Sequence, residues 1–393
     1  MDHQHGASRQ YLHVSLSLRR ALAAAVGVFL LVTIVGLVVL WPSGHRHRSS
    51  VFGPPVKLVN ATVTNVVSSP CGPARCDVIF LQVTSGPDAG SSTLINTQET
   101  PGIKPYGAGD RLVLGRSTDP TGRVTYYISD YQRRVPLLAL AALFAVVVVA
   151  LGRWRGLAAL AGLAVTVLVL ALFTLPAIAD GRDATAVALV TAAVILLFTL
   201  YVAHGASLRT TTALLGTLSA LALTAVLSAV FVNASHLTGL SSDEATVLPS
   251  AGVGINLRGL ILAGAIIGAL GVINDATVTQ ASSVWELRLI GGQSGFLRLY
   301  RSAMRIGRDH IASTIYTLVL AYAGAALPLL LTFTLANRHL VDVLSGDLVA
   351  EEIVRTLVGS IGLVASVPLT TALAAFIVTR AAGPPPTAPE VLP

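Results

Sequence analysis

Residues 271–286 read Gly-Val-Ile-Asn-Asp-Ala-Thr-Val-Thr-Gln-Ala-Ser-Ser-Val-Trp-Glu. The stretch follows an apolar run that carries Gly264 and Gly268, four residues apart, and it precedes a basic segment. Asp275 is the only acid that continues directly out of a membrane-length apolar run. A helix turning about 100° per residue puts Asp275, Thr279, Ser282 and Glu286 on one narrow stripe. Such a stripe ends a span or lines something.

The surrounding composition fixes the class. The chain has 393 residues, of which 53% are hydrophobic and 11% charged, and its mean hydropathy is +0.74. Soluble proteins carry roughly 25% charged residues. The expectation is a polytopic α-helical membrane protein, its apolar runs being spans rather than a globular core. The net charge of +7 is almost all arginine, Lys57 and Lys104 being the only lysines. It reads as topology loop by loop, not as a nucleic-acid footprint.

Residues 1–18 form a polar tail that is expected to be cytoplasmic. Residues 19–42 open with Arg19-Arg20 and continue as an apolar run to Trp41-Pro42, without a small-residue cleavage site, which reads as an uncleaved signal anchor. His45, Arg46, His47 and Arg48 run against that orientation. Residues 51–131 then alternate in five short strand-like segments separated by Gly, Pro and Asp turns. This predicts a small extracytoplasmic all-β domain, an OB-like barrel. Cys71 and Cys76 lie between the first two segments, and outside the cell they are expected to form a disulfide clipping a hairpin. A metal or redox pair is the rival, although the four-residue gap does not fit the thioredoxin spacing. With no dense basic or aromatic face, the domain is not expected to bind nucleic acid.

Seven further apolar runs, at 135–151, 157–175, 184–202, 211–232, 257–273, 311–335 and 353–378, bring the expectation to about eight spans, seven of them within 135–380. Arginines crowd the loops at 152–156, 204–209 and 288–308, whereas Asp180, Asp183, Asp243, Glu244, Asp342, Asp347, Glu351 and Glu352 fall in the alternate loops. The positive-inside rule then makes both termini cytoplasmic in the plasma membrane and residues 51–131 extracytoplasmic. Segment 288–310 mixes apolar residues with Arg298, Arg301, Arg305 and Arg308. It reads as an amphipathic helix on the inner membrane face, held by anionic lipids or docking a partner. The tail 381–393 is Pro-rich and expected to be disordered.

The stripe admits two readings. In one, Asp275 supplies charge while Asn274, Thr279, Gln280 and Ser282 offer neutral oxygens to an ion or substrate. In the other, Asp275 sits at an inexpensive depth and merely caps a helix. Glu286 likewise is either a site residue or the partner of a basic neighbour such as Arg288. The glycines and Pro176, Pro328 and Pro368 read first as packing and kinking devices. The histidines make no metal cluster, any metal is unknown, and no cofactor is expected. No nucleophile elbow, P-loop or zincin motif is present, so the chain is not expected to be an enzyme.

The sequence from Gly268 to Arg288, Gly-Ala-Leu-Gly-Val-Ile-Asn-Asp-Ala-Thr-Val-Thr-Gln-Ala-Ser-Ser-Val-Trp-Glu-Leu-Arg, resembles the YibE/F-like family of bacterial membrane proteins. The order of parts is similar too: an N-terminal span, a β-rich domain, then a multi-span region whose late spans flank this motif. The resemblance implies a membrane protein of permease type without a fixed substrate. Asn274 stands where the family pattern has a second acid, which weakens a two-carboxylate ion site. Two functions remain. One is a permease for a small solute or ion using the Asp275 stripe. The other is a non-transporting scaffold or assembly factor whose β domain binds an envelope partner. A homo-oligomer is open under both.

Overall fold

The computed structural model describes residues 13–44, 56–71, 74–98, 105–119, 121–241, 243–250, 254–291, 294–336 and 339–382. The expected cytoplasmic tail falls mostly outside these residues, as do His45 to Arg48 and nearly all of the expected disordered tail. The chain divides into two compact units, residues 49–156 and the remainder.

The first unit begins with five strands: β2 (Lys57–Cys71), β3 (Ala74–Val83), β4 (Ser92–Gln98), β5 (Arg111–Thr118) and β6 (Val124–Tyr131). All neighbouring pairs are antiparallel, in the order β4-β3-β2-β5-β6. Alternation buries one face: Val59, Ala61, Val63, Ile79, Leu81, Val83, Leu112 and Leu114 make the core. A bulge between Val63 and Asn65 curls the sheet. The result is a small curled antiparallel half-barrel. The expected OB-like barrel is met to that extent, because the edge strands β4 and β6 approach without pairing.

Cys71 and Cys76 are bridged across the β2–β3 hairpin, with Cα atoms 5.7 Å apart. Closing so short a loop removes about 2 kcal/mol of unfolded-state entropy on the chain-entropy account. In the β3–β4 connection, the Asp88 carboxylate accepts hydrogen bonds from Arg116 Nε at 2.6 Å and the Tyr126 hydroxyl at 2.6 Å. The Arg116 guanidinium, and then the Tyr126 hydroxyl, hold the Asp88 carboxyl below the usual carboxylate range.

After the strands, α2 (Arg134–Val169) is two helices joined at Arg153, whose φ of 50° breaks the helical path within the expected turn at 152–156. The second unit holds the part of α2 beyond that turn, together with α1 (Leu16–Val39), which β1 (His13–Val14) precedes. From 170 to 174 the helix widens to a π-turn before α3 (Leu175–Ala179). Pro176 explains this: it lacks an N–H and its ring crowds the carbonyl four residues back. Thr174 joins α4 (Ala184–His204) through a 2.7 Å hydroxyl pair with Thr191.

Local chemistry sets several helix starts. Asp183 caps α4 by accepting from Ala186 N, Ser207 caps α5 (Leu208–Ala234) by accepting from Thr210 N, and Asn256 caps α7 (Leu257–Ile290) by accepting from Gly259 N. Short α6 (Asp243–Ser250) lies between α5 and α7. Next come α8 (Phe296–Ala325) and α9 (Leu327–Leu335), bent by 57° where Pro328 enters, then α10 (Leu340–Ser345). Finally α11 (Asp347–Thr379) runs unbroken through Pro368, and β7 (Ala381–Ala382) pairs with β1.

Among the described residues six helices are long and apolar enough to cross a membrane, or seven with the bent pair as one. At the centre α5, α7 and α11 pack on one another, α4 lies against α7, and α8 lies against α7 and α11. Glycines set the closeness. A Cβ on Gly362 would collide with the Thr224 hydroxyl, and one on Gly216 with the Thr370 hydroxyl.

Two outcomes test this account. Gly362→Ala is expected to destabilise the chain in detergent by about 1–3 kcal/mol through overpacking, read as a lower unfolding midpoint. Gly271→Ala, with nothing within 4 Å of the added carbon, should be neutral or slightly stabilising. In the half-barrel, Asp88→Asn should speed amide exchange of the full chain over β2–β5 at neutral pH. A depressed carboxylate contributes stability above its unfolded value of about 3.9, and that contribution is lost as pH falls through the lowered folded value. The difference between variant and wild type should therefore shrink as pH falls below that unfolded value.

Candidate functional site

The apolar run predicted to end at 273 continues without a break, so all of 271–286 is helical and α7 has 34 residues. At about 1.5 Å per residue it is roughly 51 Å long, well beyond a hydrocarbon layer of about 30 Å. Its second half has two faces.

The face carrying the predicted stripe is the less covered one. Asp275 is exposed, at 71% of its side-chain area, and its Oδ2 lies 3.7 Å from His310 Nε2 on α8. Thr279 and Ser282 are half-buried, and Glu286 is exposed without an ion pair among the described residues. Ser282 borders a shallow recess with His204, Arg209 and Thr210 at the α4–α5 turn. Asn274 is half-buried, and its Oδ1 is buried with no hydrogen-bond partner.

Gln280 belongs to the opposite face. It is 2% exposed, and its Nε2 donates to the Ala303 carbonyl of α8 at 2.9 Å and to Thr371 Oγ1 of α11 at 2.7 Å. Five residues separate it from Asp275, about 140° around the helix, so the structure does not bring these two together. Beside Gln280, Thr277 shares a 2.6 Å hydroxyl contact with Thr217 of α5.

This inner face continues into a polar seam between α5, α7 and α11. Thr217, Thr224, Ser228, Thr277, Gln280, Ser366, Thr370 and Thr371 are all buried there. Most hydroxyls bond the carbonyl a turn earlier: Thr217 to Ala213 at 2.9 Å, Thr224 to Ala220 at 2.9 Å and Thr371 to Val367 at 2.6 Å. The hydroxyls of Ser228 and Thr370 have no partner among the described residues. Leaving such a group unpaired costs about 1–3 kcal/mol, and each instance calls for an explanation.

At the far end of the seam lies a charged cluster. On α11, Arg355 Nη2 donates to Glu351 at 2.9 Å and Nη1 to Glu352 at 2.5 Å. Glu351 also accepts from Ser241 Oγ at 2.8 Å, and Asp347 accepts from Thr238 Oγ1 at 2.6 Å. Arg355 is 22% exposed and Glu351 15%, and Arg355 Nε is buried without a partner. Gly264 of α7 faces the guanidinium, and Gly268 faces the Tyr322 hydroxyl of α8. Among the described residues no group of three or more His, Cys, Asp or Glu is placed to hold a metal ion.

The basic segment is divided between two helices. Arg288 is in the last turn of α7, is buried, and donates to the Ser294 carbonyl at 3.3 Å. Arg298, Arg301, Arg305 and Arg308 all lie on α8 and are exposed, opposite the buried Leu299, Ala303 and Gly307.

Sequence reasoning missed the Arg355 cluster and the hydroxyls on α5. A signal existed: Thr217, Thr224 and Ser228 share one helix face at spacings of seven and four, as do Gly359, Gly362, Ser366 and Thr370 at three and four.

The family model described as YibE/F-like protein matches residues 140–380. The chain belongs to the YibE/F-like family. The match takes in the seam, the stripe and the Arg355 cluster; it begins beyond α1 and the half-barrel. No curated protein and no solved structure matches the chain. In this YibE/F-like chain, Gln280→Leu is expected to cost about 1–3 kcal/mol because it strips a buried bond from Thr371. Thr279→Val, on the half-exposed face, should stay within about 0.5 kcal/mol. Unfolding midpoints in detergent check both.

Proposed function

We propose that the chain is an integral membrane protein of permease type that moves a small solute or ion along the seam between α5, α7 and α11. The observation that carries this reading is the pair of buried, unpartnered hydroxyls, Ser228 and Thr370, on a polar interface with a charged cluster at one end. From Arg355 to Thr371 the seam extends about 24 Å along α11, most of a hydrocarbon thickness. In a bundle where helix contact depends on close packing, hydroxyls that lack partners stabilise nothing. They fit a path whose occupant completes their bonding. Asn274, Asp275 and His310 are left outside this path, Asp275 being on the more exposed face of α7. No reaction chemistry is assigned, so the reading is a carrier and not an enzyme.

The topology is read as eight spans in the plasma membrane, the break at Arg153 and the bend at Pro328 each lying at a turn or kink. Pairing of β1 with β7 brings the two ends of the chain together, which supports an even number of crossings. The arginine-rich turns argue for cytoplasmic termini and an extracytoplasmic half-barrel, and the Cys71–Cys76 bridge suits that compartment. Lipid is then the medium around the exposed apolar helix faces, with anionic headgroups at Arg298, Arg301, Arg305 and Arg308.

A second reading, the non-transporting scaffold, has its own observation. Phe80 and Leu94 are cross-strand neighbours on the outer face of the half-barrel and are 38% and 55% exposed. A flux measurement separates the two. Full-length protein in liposomes, with an internal pH dye and an imposed potassium diffusion potential, should carry proton flux above protein-free vesicles. Thr370→Val keeps the shape and removes the unpaired hydroxyl. It should raise the unfolding midpoint or leave it unchanged, yet reduce flux about tenfold or more. Absence of flux in the wild type, or full flux in the variant, would reject the seam as the path.

A further inference from the structure

We propose that the base of the half-barrel, where β6 runs into α2, is a docking surface for anionic lipid headgroups, with Tyr106, Tyr131, Arg111 and Arg134 as its contacts. The proposal rests on the reading of 135–151 as a membrane span, and not on transport.

The span itself sets the depth. Residues 135–152 carry no charged or polar side chain. From Arg134 to Arg153, where the helical path breaks, α2 advances about 28 Å, close to a hydrocarbon layer of about 30 Å. An arginine at each end leaves little room to slide, because sliding would draw one guanidinium into hydrocarbon. Arg134 is thereby held at one headgroup boundary. Tyr131 precedes it by three residues, at most about 10 Å of chain, so the end of β6 lies at the headgroup layer.

A second segment is held at the same level. The Tyr106 ring stacks on Tyr131 with centroids 5.5 Å apart, and both residues are half-buried. Leu112 pairs with Tyr131, and Gln132 N donates to the Arg111 carbonyl at 2.8 Å. Arg111 is therefore set beside the chain as it enters α2. Tyrosine suits such a boundary, its ring taking apolar surroundings and its hydroxyl wet ones.

Charge decides the kind of lipid. The acids at this base are engaged within the protein: Asp130 pairs with Arg133 and accepts from Tyr131 N at 2.8 Å, and Asp110 accepts from Gly107 N at 2.8 Å. Arg111 and Arg134 are exposed and take no part in the ion pairs among the described residues. Two guanidiniums without a counter-ion at phosphate depth fit a headgroup of net negative charge better than a zwitterion, whose own ammonium competes for the phosphate. On the proposed topology this is the acid-rich side of the membrane, so the positive-inside rule does not account for these arginines.

The test is amide hydrogen exchange of the full chain in nanodiscs of phosphatidylcholine, alone or mixed with phosphatidylglycerol. At low salt, exchange over 105–111 should slow about fivefold or more when the anionic lipid is present. The difference should vanish in about 0.5 M salt, and exchange over 79–83 in β3 should not change. Arg111→Gln combined with Arg134→Gln should remove the headgroup dependence. Arg111→Lys combined with Arg134→Lys keeps the charge and should retain the dependence, so a folding defect in the first pair does not decide the matter. Equal exchange in the two lipids, or a dependence that survives the glutamine pair, overturns the proposal. Slow exchange over 137–150 without any headgroup dependence at 105–111 removes the docking alone. Fast exchange over 137–150 removes the span and the docking with it.

Discussion

The close approach of α5, α7 and α11 is the constraint on which the bundle depends. Helices with apolar outer surfaces gain little from hiding those surfaces against each other in lipid, so association rests on shape and short-range contact. Here the shape comes from glycine set against threonine. Gly216 receives the Thr370 side chain and Gly362 receives Thr224, while Gly307 of α8 leaves room for Val367 and Gln280. Each contact fixes a depth, and together they fix register. The register runs parallel between α7 and α11 and antiparallel between either of them and α5. With those three in place, α4 and α8 have fixed grooves to fill.

Such packing explains why so many hydroxyls are buried at little cost. A threonine in a helix can return its proton to a carbonyl one turn back, and Thr217, Thr224 and Thr371 do so. Their outward surface is then nearly apolar and small. Ser228 and Thr370 occupy equivalent positions in the same seam without doing so. The difference between the two kinds of hydroxyl is physical and local, and it divides residues that only pack from residues open to another role.

Much of the architecture was legible in the sequence, because apolar runs and β alternation are carried by residue type alone. The break at Arg153, the proline effects at Pro176 and Pro328 and the Cys71–Cys76 clip all fall where turn and kink residues point. The site was less legible. Periodicity shows that Asp275, Thr279, Ser282 and Glu286 share a face, but not which face turns inward. On α7 both faces are small and polar, so hydrophobicity cannot choose between them. Gln280, grouped with Asp275 by proximity in sequence, lies about 140° away and is the buried one. Glu351, Glu352 and Arg355 were hidden for another reason. Counting apolar residues begins that helix at 353, whereas α11 begins at Asp347, and two residues assigned to a loop become part of the packed wall.

Helix dipoles sharpen the contrast between the two ends of the bundle. A helix N-terminus favours acids and disfavours bases within its first turns. At the start of α11, Asp347 obeys that preference, and Glu351, Glu352 and Arg355 lie beyond the first turn. At the start of α8, Arg298 and Arg301 oppose it, as exposed cations close to a positive helix end. Local helix stability therefore does not account for them. They stand on the face turned away from Leu299 and Ala303, where nothing in the bundle uses their charge. On the proposed topology, an anionic membrane surface beyond the bundle would offset that unfavourable dipole contact.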